Sequence, residues 1–194
     1  MVDSSSLSDA SVVAQSLKDK DSFAVLILRY EAKLDRYVRR LGVANADDRH
    51  DVLQDIFIKV YRNLNAFNAS LSFSSWIYRI AHNETMSWFR KRKARPEGHM
   101  ADDGDEILGL ISGGESSEKV HLEESDRAAI SEALERLPQK YRDVLVLRFF
   151  EERTYEEIAD ILEMPIGTVA TLVFRAKDRL RILLENVGYL YGHA

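Results

Sequence analysis

Apolar residues recur at intervals of three and four along most of the chain, and no stretch of useful length alternates in twos. A short helix is expected between Leu7 and Lys18. The next begins at Phe23, where Asp21 or Ser22 can cap it. Leu26, Ile27, Tyr30, Leu34, Tyr37, Val38 and Leu41 keep helical spacing as far as Gly42, a residue type that closes helices. Asn45 or Asp47 opens a third helix with Val52, Leu53, Ile56, Phe57, Val60, Tyr61 and Leu64 on one face. Its other face carries Asp51, Gln54, Asp55, Lys59 and Arg62. After a turn-rich stretch (NAFNASLS, 65–72), Phe73 to Arg92 reads as a fourth helix. There Phe73, Ile77, Ile80, Ala81 and Met86 face inward, and the end is basic from Arg90 to Lys93.

Periodicity then fades and returns near Glu124. Ala128, Ile130, Ala133, Leu134 and Leu137 predict one helix. Pro138 begins another, which carries Tyr141, Val144, Leu145 and Leu147. Thr154 and Glu157 have the spacing of a capping box ahead of the stripe Ile158, Ala159, Ile161 and Leu162. Glu163-Met164 breaks that stripe, and Pro165 suits the first turn of a second helix. Val169, Leu172, Val173, Ala176, Leu180 and Leu183 continue it. A short helix, a turn and a longer basic helix make a helix-turn-helix candidate. The expected fold is all-α: two small helical domains, 1–95 and 121–194, joined by a flexible acidic linker at 96–120.

Charge sharpens that division. The 194-residue chain has a net charge of −5. Between residues 94 and 126 there are ten acids and two bases, a local −8, which leaves +3 on the flanking regions. Mildly basic domains around an acidic connector are compatible with a nucleic-acid partner. One apolar island, Ile107 to Ile111, interrupts the connector and reads best as a turn resting on a neighbouring domain. Tyr189 to Tyr191 read as a fraying tail, with a partner contact as the alternative.

Several function classes drop out. The chain has no Cys, so disulfides and thiolate metal sites are excluded. The five His are scattered, with no ligand spacing among them. Ser112-Gly113-Gly114 is followed by Glu115 rather than by the Lys of a phosphate loop. Acid pairs such as Asp47-Asp48 and Glu156-Glu157 sit at helix starts, where they complement the helix dipole. No active site, metal or cofactor is expected. No secretion signal or spanning segment is visible, and a cytoplasmic location is expected.

The fourth helix points to nucleic acid. Phe73, Trp76, Tyr78, Arg79, Asn83, Trp88 and Phe89 lead into the Arg90 to Lys93 cluster. Core packing accounts for Phe73 and Tyr78, but so many rings exceed one amphipathic face. Aromatic platforms beside cations are what unpaired bases stack on. The preceding loop supplies amides and hydroxyls for a base taken out of the stack.

Asp51 to Leu64 (DVLQDIFIKVYRNL), Phe73 to Asn83 (FSSWIYRIAHN), Leu137 to Arg142 (LPQKYR), Thr154 to Ala159 (TYEEIA) and Pro165 to Val169 (PIGTV) together resemble bacterial RNA polymerase sigma factors. The nearest type is the small, two-domain extracytoplasmic-function (ECF) group. The resemblance runs from about Phe23 to Leu184 without the linker. It implies a transcription initiation factor and no catalysis. Asp51, Gln54 and Asp55 would dock on the β′ clamp helices of core RNA polymerase. Phe67, Asn68, Phe73, Trp76, Arg79 and Asn83, with Arg90, Lys91 and Arg92 on phosphates, would read and melt the −10 element. Thr168, Thr171, Phe174, Arg175 and Lys177 would read the −35 element from a helix that also faces the β flap. An anti-sigma factor is an implied partner.

One departure stands out. Relatives of this type carry Gly-Thr-Val, then Lys or Arg, then Ser, then Arg, where this chain has Ala170, Thr171 and Leu172. A bidentate cation on guanine discriminates by about 1–3 kcal/mol, so its loss implies weaker or more AT-biased −35 reading. Two alternatives share the C-terminal fold: a one-component regulator with an N-terminal sensor, and a sigma-like adaptor without promoter reading.

Overall fold

The computed structural model describes residues 7–69, 71–94 and 124–186. The linker, the Ile107 to Ile111 island and the Tyr189 to Tyr191 tail lie outside the described residues. All regular structure among the described residues is helical. Two helical domains result, and the C-terminal one contains a helix-turn-helix.

In the N-terminal domain α1 (Asp9–Ser16) starts at Ser8, whose side chain accepts from the Ser11 N–H. A 3-10 turn (Lys20–Ser22) leads into α2 (Phe23–Leu41), so the expected Asp21 or Ser22 side-chain cap is absent. Asp19 caps the turn instead. Gly42 closes α2 at φ +116°, a left-handed conformation that costs a non-glycine residue about 1–2 kcal/mol. Asn45 starts α3 (Ala46–Arg62), taking the N–H groups of Asp47 and Asp48 on its side chain. Ser72 Oγ accepts from the Ser75 N–H at the head of α4 (Phe73–Ala94). Leu26, Leu34, Tyr37, Val38, Leu41, Ile56, Val60 and Ile77 are fully buried between these helices. Tyr61, expected inside, is 40% exposed at the edge of a shallow apolar cleft with Phe23, Phe57 and Ile58.

The C-terminal domain comprises α5 (Glu124–Glu135), α6 (Gln139–Leu145), a π-helical turn (Val146–Phe150), α7 (Tyr155–Leu162) and α8 (Ile166–Asn186). The expected capping box forms: Thr154 accepts from the Glu157 N–H and Glu157 accepts from the Thr154 N–H. Glu163 closes α7 in the left-handed region at φ 53°. Val169, Val173 and Ala176 bury α8 against Val144, Leu145, Ile158 and Ile161.

The two domains touch. α7 lies along α4, and α6 and the π turn lie against α2. One hydrophobic cluster runs from α1 to α8 through that contact.

Candidate nucleic-acid and polymerase interfaces

On α3 the side chains of Asp51, Gln54 and Asp55 are all exposed, since the apolar stripe turns Val52, Leu53 and Ile56 inward. The three form a polar strip. Lys59 on the same side pairs with Glu84 of α4, which fixes the two helices. Among the described residues the three side chains make no hydrogen bond or ion pair and face solvent.

The second surface runs from Phe67 to the end of α4. Phe73 is buried at 3% exposure. Its ring packs on Tyr30, Phe67 and Trp76 at centroid distances of 5.5, 5.3 and 5.6 Å. Phe73 therefore supports the aromatic group from below. Phe67 and Trp76, 5.4 Å apart, are the half-buried rings that keep a face toward solvent. Asn68 is exposed in the loop, and Asn83 is exposed farther along α4. Arg90, Lys91 and Arg92 are exposed at the end of the helix. Arg92 bonds Asp48 of α3 at 2.9 Å and covers the Trp88 ring at 5.2 Å. Trp88 and Phe89 thus belong to a cation-capped cluster rather than to an open stacking platform.

The third surface is the outward side of α8. Thr168, Ala170, Thr171, Phe174, Arg175 and Lys177 are exposed. Phe174 is 76% exposed, unusual for a ring that the fold does not need. Thr171 Oγ1 donates to Gly167 O at 2.9 Å, so its hydroxyl hydrogen is held by the helix. Lys177 Nζ sits 6.0 Å from the Phe149 ring, which is itself half exposed. Asp178 and Glu185 are tied to Arg181 along the helix and leave the first two turns of α8 without an acid.

Sequence reasoning missed a fourth set, because its members meet only across the domain contact. Glu151 Oε1 accepts from Arg40 at 2.9 Å and Oε2 from the Tyr78 hydroxyl at 2.6 Å. Arg153 donates to Ser74 Oγ at 2.7 Å and lies 4.4 Å from the centre of the Tyr78 ring. His82 Nε2 is 3.2 Å from Asp143 Oδ2. Gln139 and Arg142 both donate to Leu41 O, one of the carbonyls that the end of α2 leaves unpaired. Burial pushes the Tyr78 phenol well above its ordinary value, and the Glu151 carboxylate adds to the shift. Burial likewise lowers the Arg142 guanidinium, against the pull of Glu135 and Asp143. Only the charge of these residues was visible along the chain.

The described residues thus present a polar strip on α3, half-open rings and a basic end on α4, and an exposed ring with cations on α8, spread over two helical domains. Among the described residues no group of acids and histidines could hold a metal. The comparisons with known proteins place the chain further. Residues 26–95 match the sigma-70 region 2 family and residues 127–180 match the sigma-70 region 4 family. The chain is 35% identical to the RNA polymerase sigma-H factor of Pseudomonas aeruginosa, over 86% of this chain and 88% of that one. It is 34% identical to the ECF RNA polymerase sigma factor SigW of Bacillus subtilis, over 87% and 92%. To the ECF RNA polymerase sigma-E factor of Escherichia coli it is 33% identical, over 91% and 94%. Among solved structures it resembles CnrH in complex with the cytosolic domain of CnrY, with a TM-score of 0.68 at 24% identity over 92% and 97%. It also resembles the sigma factor RpoE in complex with the anti-sigma factor NepR from Bartonella quintana, with a TM-score of 0.62 at 25% identity over 84% and 96%.

The chain belongs to the ECF sigma factor family. It directs RNA polymerase to promoters through its region 2 and region 4 domains, and it is not an enzyme. No helix among the described residues is long and apolar enough to cross a membrane.

Proposed function

We propose that Asp51, Gln54 and Asp55 dock α3 on the β′ clamp helices of core RNA polymerase, in the cytoplasm, and that the rest of the 1–95 domain reads the −10 element. Phe67 and Trp76 hold an unstacked base against the platform that Phe73 backs. Asn68 and Asn83 contact base edges, and Arg79, Arg90, Lys91 and Arg92 hold phosphates. The 121–194 domain reads the −35 element in the duplex major groove with α8, through Thr168, Thr171, Phe174, Arg175 and Lys177, and meets the β flap. The observation that carries this reading is the pairing of half-open rings on a buried Phe73 with a basic helix end, on the same domain as an unpaired polar strip.

The −35 reading leans on thymine. Ala170, the Thr171 methyl group and Phe174 present apolar surface, while Arg175 supplies a fork for guanine or phosphate. In the 1–95 domain the cleft at Phe23, Phe57 and Tyr61 and the depression beside it at Ser16, Leu17 and Leu64 are both open to solvent, which counts against a one-component sensor. An anti-sigma factor is a further proposed partner, supported by the likeness to a sigma factor solved with one.

Run-off transcription with purified core polymerase tests the reading. A specific start that disappears when Trp76 and Asn83 are replaced by Ala is expected. Sequence-specific duplex binding without initiation would instead identify a regulator, and core binding without promoter choice an adaptor.

A further inference from the structure

The first helix of the chain is tied to the aromatic group through a single carboxylate. Asp9 opens α1 and precedes residues 26–95, the part that the region 2 family matches, so that match gives α1 no role. Asp9 Oδ1 accepts from Arg29 Nη1 at 2.7 Å, and its Oδ2 accepts from the Tyr30 hydroxyl at 2.5 Å. One acid thus holds two adjacent residues of α2. Tyr30 is only 4% exposed, and a buried hydroxyl without a partner is costly. Burial first, and Asp9 second, raise the phenol above its ordinary value, so it stays a neutral donor. Val12 and Val13 already bury α1 in the core, which leaves the Asp9 carboxylate to fix direction rather than attachment.

The Tyr30 ring carries that direction onward. It meets Phe73 edge to face, with centroids 5.5 Å apart and planes at 71°. Phe73 in turn meets Phe67 at 88° and Trp76 at 43°. Such contacts depend on ring angle, because the positive edge of one ring sits on the negative face of another. A packed interior has little free volume, so a tilt of one ring passes to the next. Phe67 follows a 3-10 turn (Leu64–Ala66) rather than lying within a helix, and its ring rests on Phe73 and Trp76. Trp76 shares one face of α4 with Arg79 and Asn83, at spacings of three and four. Arg79, half-buried there, lies 3.9 Å from Glu163. A turned Trp76 ring no longer lines up with these two polar groups, and a binding site needs its groups held to within about 0.5 Å.

We infer that Asp9 is a positioning residue for the −10 reader. Its carboxylate holds the Tyr30 hydroxyl, Tyr30 sets the tilt of Phe73, and Phe73 sets the faces that Phe67 and Trp76 offer to an unstacked base. The inference rests on the −10 reading proposed above. α1 thereby acts on base capture without touching DNA itself.

The chain has two tryptophans, which makes the test direct. With Trp88→Phe, Trp76 is the sole tryptophan, and acrylamide quenching of the free full-length chain reports how its ring is held. Asp9→Ala and Tyr30→Phe should each raise that quenching about twofold. Joined in one chain they should raise it no further, since both cut the same bond. Asp9→Asn keeps an oxygen that can accept from Tyr30 and should restore most of the protection. Gln15→Ala, at an exposed position of α1, should change nothing. Quenching that Asp9→Ala leaves unchanged, or that Gln15→Ala raises as much, overturns the inference. In the second arm, run-off is measured on the template where the unsubstituted chain starts, beside affinity for core polymerase. Asp9→Ala should lower run-off about fivefold or more, as a misplaced group does, while core affinity stays within about twofold. Asp9→Asn should restore run-off. Undiminished run-off in Asp9→Ala, or a loss matched by an equal loss of core affinity, marks a merely structural helix and overturns the inference. Run-off that survives Trp76→Ala overturns the −10 reading instead, and the quenching arm then still decides whether Asp9 sets the ring.

Discussion

The Tyr78 hydroxyl of α4 donates to Glu151 Oε2 across 2.6 Å, so a neutral phenol from one domain and a buried carboxylate from the other form a single unit. The phenol must keep its proton to make this bond. Burial first, and Glu151 second, raise the Tyr78 value well above the ordinary one of 10.0. Burial also raises Tyr37, with Asp143 and Glu151 adding to it. Below pH about 10 both the folded and the unfolded chain hold these protons, and the full stabilisation is present. Above it the unfolded chain ionises first, so stability falls by up to ~1.4 kcal/mol per pH unit for each tyrosine until the folded values are reached. Urea unfolding between pH 8 and 11 should show this decline, and Tyr78→Phe should make it shallower. A midpoint that is flat to pH 11 would sink the assignment.

Two glycines should respond in opposite directions to Ala. Gly42 has φ +116°, and a Cβ there would lie 2.6 Å from Arg142 Nη1. That guanidinium donates to Leu41 O across the domain contact. Gly42→Ala is expected to cost roughly 2 kcal/mol, the left-handed penalty plus a displaced Arg142. Gly167 has nothing within 4 Å of a Cβ and a negative φ, so Gly167→Ala should stabilise by about 0.5–1 kcal/mol. Thermal unfolding of the two variants decides; equal shifts in the same direction would contradict the argument.

The docking strip should separate binding from stability. Asp51, Gln54 and Asp55 are exposed, so replacing all three by Ala is expected to move the unfolding free energy by no more than about 0.5 kcal/mol per site. Affinity for core polymerase should drop at least tenfold. Unchanged affinity in a fluorescence titration would move the docking surface elsewhere on the domain.

The reading helix predicts a particular specificity. Phe174→Ala should weaken −35 duplex binding mainly where thymines lie in the site. Arg175→Ala should reduce the salt slope by about one, the signature of a single phosphate contact, or abolish a guanine preference. Guanine discrimination that survives Arg175→Ala, measured over a series of −35 variants, would contradict an AT-biased reader.

Tyr37 offers a contrast with Tyr78. Its ring is fully buried, and its hydroxyl has no hydrogen-bond partner among the described protein groups. Tyr37→Phe removes an unsatisfied donor at little cost in shape. A neutral effect or a gain of up to about 1 kcal/mol is expected. A loss above 2 kcal/mol in chemical denaturation would show that the hydroxyl carries a bond in solution.

The helices were legible because local rules dictate them. The stripe from Phe23 to Leu41, the stop at Gly42, the Asn45 cap and the Thr154–Glu157 box each act within a few residues, and each forms as the sequence predicts. So does the turn at Glu163 that sets α8 against α7. The candidate site was legible only in part. Exposure of Asp51, Gln54, Asp55, Phe174 and Arg175 follows from helical phase. The division of labour among Phe67, Phe73 and Trp76 does not, since ring burial depends on how a loop folds back onto the helix it precedes.

By itself the sequence determined the two all-α domains, the helix-turn-helix and which polar and aromatic residues its exposed helix faces carry, since periodicity, caps and charge are local properties. Only the tertiary structure decided where Glu151, Asp143 and Arg153 go. Their partners Arg40, Tyr78, His82 and Ser74 lie between 61 and 111 residues away, and no local spacing encodes such a pair. Packing α7 along α4 brings them together, and burial there turns ordinary surface residue types into a specific contact between domains.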